Sequence, residues 1–153
     1  MNVSRRIFLK ASGGVGAALL LAGWPRGVLA DEAWNAKAFA GKSLDDVVKA
    51  LGGAAAQPSA DIALTAPDIA ENGAVVPVEI ESKLPNTRSI SILVEKNPNA
   101  LSADFSIPAG TDPYISTRVK MAETSNLYAL VQTDGGFFYA KKEVKVTLGG
   151  CGG

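Results

Sequence analysis

The sequence has no histidine and only one cysteine, Cys151, among its 153 residues. Without histidine there is no imidazole to act as the base of a Ser-His or Cys-His dyad, and none to bind a metal ion. One sulfur atom also does not build a structural zinc site, which takes four ligands drawn mainly from cysteine and histidine. These absences exclude the commonest catalytic and metal centres and leave one thiol as the most reactive group.

The charges balance over the whole sequence, with 15 basic and 15 acidic residues. The first 30 residues hold no acid and four bases, which are Arg5, Arg6, Lys10 and Arg26. The rest of the chain therefore has 11 basic against 15 acidic residues, a net charge of −4. Because phosphate backbones are bound by basic surfaces, we expect no nucleic acid partner.

A twin-arginine (Tat) export motif lies at residues 4–10. Its motif positions are filled by Arg5, Arg6, Phe8 and Leu9. An apolar run rich in glycine and alanine follows at residues 11–23. A membrane anchor is the alternative, but this run is shorter than the roughly 20 apolar residues that span hydrocarbon. The pattern therefore predicts a signal peptide, with no membrane contact after its removal.

Small residues at positions 28–30 are typical of a signal peptidase site. We expect cleavage after Ala30, a mature chain that starts at Asp31, and a periplasmic location. The expected parts of the chain are a signal peptide at 1–30, a helical segment at 31–57, a β-sandwich domain at 58–148 and a short arm at 149–153.

The helical segment shows two helix patterns. Ser43 can cap a helix whose apolar residues Leu44, Val47, Val48 and Leu51 recur at helical spacing, and two glycines follow it. A shorter helix is expected at residues 34–39. Asp45 and Asp46 fall in the first turn, where carboxylates suit the helix dipole, so a catalytic role for them is not favoured.

Beyond Pro58 the apolar residues alternate with polar ones, as in half-buried strands. The predicted strands are 61–66, 75–82, 89–96, 103–107, 114–121, 127–133 and 137–148. About seven short strands separated by Gly, Pro and Asn turns are typical of a mainly β, immunoglobulin-like antiparallel sandwich. Glu79 and Glu81 fall on one solvated strand face, so they do not predict a catalytic pair of acids. The aromatic residues are expected in a core or an interface and do not predict a ligand site: Trp34, Phe137, Phe138 and Tyr139.

The C-terminal pentapeptide places Cys151 between two pairs of glycines: Gly149, Gly150, Gly152 and Gly153. Glycine has no Cβ and few conformational restrictions, so this tail predicts a flexible arm that carries an accessible thiol. A frayed terminus with an incidental cysteine is the alternative. No Lys, Arg or helix start adjoins Cys151 to lower its thiol pKa, so activation must come from another protein.

These features together resemble one family. The terminal Gly-Gly-Cys-Gly-Gly, the twin-arginine leader, the segment Ala-Pro-Asp-Ile-Ala-Glu-Asn-Gly at 66–73 and Val-Val-Pro-Val at 75–78 look like SoxY, the sulfur carrier of the bacterial thiosulfate-oxidising Sox system. The resemblance implies that Cys151 holds the sulfur intermediates and that the chain has no catalytic residue, metal or cofactor of its own.

The resemblance also implies partners. SoxY forms a heterodimer with SoxZ and meets three enzymes in turn. The haem protein SoxAX joins thiosulfate to the cysteine as an S-thiosulfonate, the manganese hydrolase SoxB releases sulfate and leaves a persulfide, and SoxCD oxidises the remaining sulfur in some pathways. Two alternatives stay open: an exported immunoglobulin-like adaptor that forms an intermolecular disulfide through Cys151, and a thiol-dependent sulfurtransferase or peroxidase.

Overall fold

The computed structural model describes residues 35–149. The predicted signal peptide, its cleavage site, Trp34, and the tail residues Gly150, Cys151, Gly152 and Gly153 lie outside the described residues. Within residues 35–149, no helix is long and apolar enough to cross a membrane.

Two short helices open the described chain, as expected. Helix α1 (Ala36–Phe39) is capped by Asn35, and helix α2 (Leu44–Ala50) is capped by the predicted Ser43, whose hydroxyl accepts from the Asp46 N–H at 3.1 Å. The Asn35 side chain also donates to the Ala50 carbonyl at 3.1 Å. The Asn35 side chain therefore links the start of α1 to the end of α2 by hydrogen bonds.

The rest of the chain forms nine strands in two facing sheets, which confirms the mainly β sandwich of immunoglobulin type. The strands are β1 (Ala56–Pro58), β2 (Ile62–Thr65), β3 (Ile69–Ala70), β4 (Val76–Ser82), β5 (Thr87–Val94), β6 (Leu101–Ser106), β7 (Tyr114–Val119), β8 (Ser125–Thr133) and β9 (Gly136–Val146). The larger sheet has the order β1-β9-β8-β5-β6, with β3 also paired to β9, and the smaller has the order β2-β4-β7.

Two of these strands were missed by the sequence pattern, and both differ from the predicted antiparallel pairing. Strand β1 pairs parallel with the start of β9, and β3 pairs parallel with its end. They contain three and two residues, which is too short for a period of two to be recognised. The remaining seven strands match the predicted ones, with ends shifted by a few residues.

Two apolar clusters hold the layers together. The first fills the space between the sheets and includes Ile80, Ile92 and Val131, all fully buried. The second lies between the helices and the outer face of the larger sheet, where Val47 and Val48 of α2 meet Leu130 and Phe137. The helical segment is thus packed onto the sandwich by apolar contact.

The aromatic run at the start of β9 contributes to both clusters because successive side chains point to opposite faces of a strand. Phe138 packs against the cluster between the sheets, whereas Phe137 and Tyr139 pack in the cluster beneath the helices. Tyr139 also contacts Tyr128 with ring centroids 5.8 Å apart. Phe137 is thus a buried core residue, and Phe138 and Tyr139 are partly buried and pack against the two clusters.

Gly53, just after α2, is required by the close approach of the chain to the sheet. A Cβ at this position would lie closer than 3.0 Å to the Phe137 ring and to the Val48 side chain. Phe137 is 7% exposed and Val48 is fully buried, so neither has free space to retreat.

We therefore predict that Gly53→Ala destabilises the fold by about 1–3 kcal/mol, the usual range for overpacking a dense core. Chemical denaturation measures the change. Gly135→Ala is the matched control, because a Cβ at Gly135 meets only the Thr133 hydroxyl, at an ordinary contact distance of 3.6 Å. Equal stability of the Gly53 variant and the wild type would contradict this view of the interface between helix and sheet.

Candidate functional site at the root of the C-terminal tail

The end of β9 and the residues that follow it form a segment with hydrogen bonds on both sides. Strand β9 pairs with β8 along the whole length of β8, from Gly136 opposite Thr133 to Val144 opposite Ser125. Residues 145–149 extend past the end of that pairing. We call residues 146–149, with the loops that contact them, the tail root.

On one side of the tail root lies the segment at 66–73, which was quoted above for its sequence resemblance. Its backbone runs parallel to the end of β9, and three N–H groups form hydrogen bonds between the two segments. Lys145 N–H donates to the Asp68 carbonyl at 2.9 Å, Thr147 N–H to the Ala70 carbonyl at 3.1 Å, and Gly73 N–H to the Leu148 carbonyl at 2.7 Å. The segment therefore fixes the chain up to Leu148.

Side chains reinforce this parallel contact. The Thr147 hydroxyl donates to the Glu71 carbonyl at 2.9 Å, and the Lys142 ammonium pairs with the Asp68 carboxylate at 2.9 Å. Lys142 also donates to the Ala66 carbonyl. Because the Asp68 side chain is 89% exposed, water screens this ion pair and the backbone bonds contribute more of the stability.

On the other side lies the loop at 120–124, between β7 and β8. The Thr124 hydroxyl accepts from the Val146 N–H at 2.9 Å. Met121 N–H donates to the Gly73 carbonyl at 2.7 Å, which joins this loop to the segment at 66–73. The tail root thus lies between two loops that are themselves bonded to each other.

A third loop, at 95–100, holds the second in place through Asn97. The Asn97 amide nitrogen donates to the Lys120 carbonyl at 2.8 Å, and its oxygen accepts from the Ala122 N–H at 2.9 Å. A primary amide can satisfy a donor and an acceptor at once, so this one side chain fixes both ends of residues 120–122. From the sequence, Asn97 is only one residue of an Asn-Pro-Asn turn.

The other polar residues named from the sequence lie away from the tail root. Glu79 and Glu81 are exposed and alternate with buried residues of β4, as predicted. Asp46 lies at the start of α2, where the Ser43 hydroxyl and the Lys42 N–H hold the pKa of its carboxyl below the ordinary value. Within residues 35–149, no group of three or more Asp, Glu, His or Cys side chains is arranged to hold a metal ion.

Tyr128, on the outer face of the larger sheet, has a raised pKa. Burial is the main cause, and the nearby Glu95 carboxylate adds to it, both by its charge and by accepting from the Tyr128 hydroxyl at 3.3 Å. The phenol therefore stays neutral at and well above neutral pH, and it supports the packing beneath the helices without acting as a base.

A surface cleft of about 410 Å³ lies at the opposite end of the sandwich, where β5 and β7 begin and β8 ends. Its lining includes Arg88 and Asp134, which form an ion pair, and the loop at 108–111. Both side chains of the pair are largely exposed, at 66% and 48%.

Comparison with known proteins points to the same end of the chain. The sequence model of the family described as "Sulfur oxidation protein SoxY" matches residues 48–151, so the match ends at the cysteine. The chain belongs to the SoxY family. No curated protein matches the sequence.

A solved structure agrees with this assignment. The sulfur carrier protein SoxY from Chlorobium limicola f thiosulfatophilum is 38% identical, with a TM-score of 0.61 over 68% of this chain and 94% of that one. A superoxide reductase (neelaredoxin) from Ignicoccus hospitalis is 22% identical, with a TM-score of 0.50 over 56% of this chain and 79% of that one. The second likeness shows the shared fold alone.

Family membership gives the tail root its importance, because the SoxY match covers both the segment at 66–73 and the terminal cysteine. Sequence reasoning singled out the segment at 66–73 and the glycine tail separately, and it did not predict that this segment bonds to residues 145–148. It missed Asn97 and Thr124 altogether, since a turn asparagine and a loop threonine have no pattern that marks them as supports of a distant strand.

We predict that Thr124→Val weakens the tail root. The substitution keeps the side-chain shape but leaves the half-buried Val146 N–H without its acceptor, which should cost about 1–2 kcal/mol of unfolding free energy. Hydrogen exchange of the Val146 amide should also become faster.

Thr147→Val is the matched control. Its hydroxyl is an exposed donor to the Glu71 carbonyl, and water can replace that bond, so the loss should stay within about 0.5 kcal/mol. Denaturant unfolding and amide exchange of both variants measure the difference. An unchanged Val146 exchange rate in Thr124→Val would show that the threonine does not hold the tail root.

Proposed function

We propose that this chain is an exported, covalent carrier of sulfur intermediates in thiosulfate oxidation, with Cys151 as the attachment point. The observation that carries the proposal is the SoxY family match that extends to residue 151, where the chain has its one cysteine. The last described residue, Gly149, lies at the edge of the sandwich and is exposed. At about 3.3–3.6 Å per extended residue, the thiol can reach roughly 7 Å beyond it.

The carried groups follow from thiol chemistry. In loading, the Cys151 sulfur forms a bond with the outer sulfur of thiosulfate, the thiol loses its proton, and two electrons pass to the haem enzyme SoxAX. The product is an S-thiosulfonate. In the next step water cleaves the bond between the outer sulfur and the sulfonate, sulfate leaves, and a persulfide remains on Cys151; SoxB performs this hydrolysis.

In this proposal the chain carries and presents the substrate, and its partners supply the catalysis. The partners are SoxZ as a stable heterodimer, and SoxAX, SoxB and in some pathways SoxCD as transient ones. Gly149, Gly150, Gly152 and Gly153 give the thiol an approach free of neighbouring side chains, which suits entry into several different active sites. The chain needs no cofactor of its own, only the sulfur bound to Cys151.

The leader supports a periplasmic location for this chemistry. Arg5, Arg6, Phe8 and Leu9 form the Tat motif, and the Tat route moves folded proteins. A sandwich whose tail root is held by three loops would therefore be complete before export. Removal of residues 1–30 leaves a mature chain with a net charge of −4.

We predict that Cys151→Ser abolishes thiosulfate-dependent electron transfer through the Sox enzymes while leaving the unfolding temperature unchanged. Serine has nearly the same size, but its hydroxyl does not form persulfides or mixed disulfides. Cytochrome reduction in the presence of thiosulfate and the reconstituted partners measures the effect. Activity that persists in this variant would place the carried sulfur elsewhere.

Measurements on the wild-type protein separate the alternatives. An adaptor that uses Cys151 for an intermolecular disulfide would show a crosslinked species on non-reducing electrophoresis of the native protein, and no sulfur adduct by intact mass. A sulfurtransferase would show a depressed thiol pKa in the isolated chain and turnover without partners. The carrier proposal expects a thiol with an ordinary pKa and adducts that form only when SoxAX is present.

We predict that Gly150→Val combined with Gly152→Val lowers turnover by the partner enzymes at least tenfold. Two β-branched residues beside the thiol widen the tail and restrict its backbone. A steric penalty of only about 1.4 kcal/mol on entry into the partner's active site lowers the rate tenfold. The reaction of Cys151 with a small thiol reagent should stay within about twofold, because a small molecule needs no channel.

The double alanine variant is the control, since alanine adds one methyl group without β-branching. Its turnover should lie between those of the wild type and the valine variant. Turnover by the valine variant equal to that of the wild type would show that a narrow tail is unnecessary for delivery.

A further inference from the structure

Gly149 differs from a flexible linker residue because it lies against another part of the fold. A Cβ built on Gly149 would lie closer than 3.0 Å to the Ala122 carbonyl oxygen, a separation that real Cβ atoms essentially never show. Its φ angle is outside the left-handed region, so the backbone conformation alone does not call for glycine. Glycine is therefore needed at position 149 for space.

The Ala122 carbonyl is not free to move away. The Ala122 N–H is held by the Asn97 oxygen at 2.9 Å, and the preceding residue, Met121, donates to the Gly73 carbonyl at 2.7 Å. Met121 is also fully buried. The loop at 120–122 thus forms a fixed wall beside the tail, and an added methyl group at Gly149 would press against backbone atoms.

The chain just before Gly149 is held as well. The Leu148 carbonyl accepts from the Gly73 N–H at 2.7 Å, and the Thr147 N–H donates to the Ala70 carbonyl at 3.1 Å. With Leu148 fixed on one side and Ala122 on the other, the direction in which the chain passes through Gly149 is determined. Residues 150–153 begin from this point.

We propose that Gly149 is a positioning residue: its close contact with the Ala122 carbonyl, supported by Asn97, sets the direction in which the thiol-bearing tail leaves the sandwich. The geometric part of this proposal stands on the contacts of residues 35–149. Its consequence for sulfur transfer rests on the proposed function, because a fixed starting direction matters when the thiol must enter the active sites of large partners.

The geometric part is tested with two spin labels. Cys151 takes one label, and Glu81→Cys, an exposed position on strand β4, takes the other. In Gly149→Ala the tail must turn away from Ala122 or break its bond to Gly73. We therefore expect the mean label distance to shift by about 3 Å or more, close to the length of one residue, with thermal unfolding unchanged within about 2 °C.

Gly135→Ala is the matched control, because the same methyl group is added at the turn between β8 and β9, where it meets only an ordinary contact. Its label distances should equal those of the wild type. A Gly149→Ala distance distribution that overlaps that of Gly135→Ala would overturn the proposal, since the added methyl group would then be accommodated without redirecting the tail.

The consequence for transfer is tested with the unlabelled chain in its complex with SoxZ. Gly149→Ala should lower kcat/KM for loading by SoxAX at least tenfold, with kcat within about twofold, because a misdirected tail makes fewer productive encounters but reacts normally once seated. Reaction of Cys151 with a small thiol reagent should be unchanged. Equal kcat/KM in the variant and the wild type would overturn this part.

A double variant tests whether Asn97 acts through the same contact. Asn97→Ala frees residues 120–122, so the carbonyl can yield to the added methyl group, and Asn97→Ala with Gly149→Ala should recover part of the lost kcat/KM. Independent contributions would instead multiply the two losses, which would contradict the role given to Asn97.

Adduct formation in Cys151→Ser would defeat the proposed function, while the label distances would still decide the geometry.

Discussion

Strand β9 is hydrogen-bonded along both of its edges, and the rest of the sandwich is arranged around this constraint. One edge pairs with β8 over nine residues, and the other is covered by β1 near its start and by β3 near its end. A C-terminal strand would ordinarily fray, because terminal residues lack neighbours that bond them. Here the segment at 66–73 continues the backbone bonding to Leu148, and on the other side the Thr124 hydroxyl accepts from the Val146 N–H.

This arrangement matters for a carrier because its two parts have opposite requirements. In the proposed function the thiol leaves the domain and enters other proteins, which favours a tail of glycines. The point from which it leaves must be fixed, which favours a strand bonded on both sides. Within residues 35–149, the last backbone hydrogen bond joins Gly73 to Leu148, one residue before Gly149.

Much of the fold could be predicted from the sequence because it rests on local patterns. The Ser43 cap, the apolar spacing of α2 and the alternation in β4 all depend on residues near one another in the chain, and the structure confirms each of them. The parallel strands β1 and β3 could not be predicted. Each is stabilised by a strand about 75 to 80 residues away in sequence, and neither is long enough to show a period of its own.

The candidate site also has one part that the sequence predicts and one part that it does not. The sequence singles out Cys151 and its glycines by composition, and the family match supports that choice. The supports of the tail root could not be found in the same way, because Asn97, Ala122 and Gly149 acquire their roles only through contacts between distant loops. The sequence predicts Gly53 as part of a helix end and Gly149 as part of a flexible arm, whereas in the structure a Cβ at either position would clash with another part of the fold.

The most direct test of the account is peptide mapping by mass spectrometry of the native protein, taken from cells that are oxidising thiosulfate and kept under non-reducing conditions. The account predicts thiosulfonate and persulfide adducts on the C-terminal peptide that contains Cys151, and their disappearance when thiosulfate is withdrawn. A C-terminal peptide that carries no sulfur while thiosulfate is being consumed would contradict it.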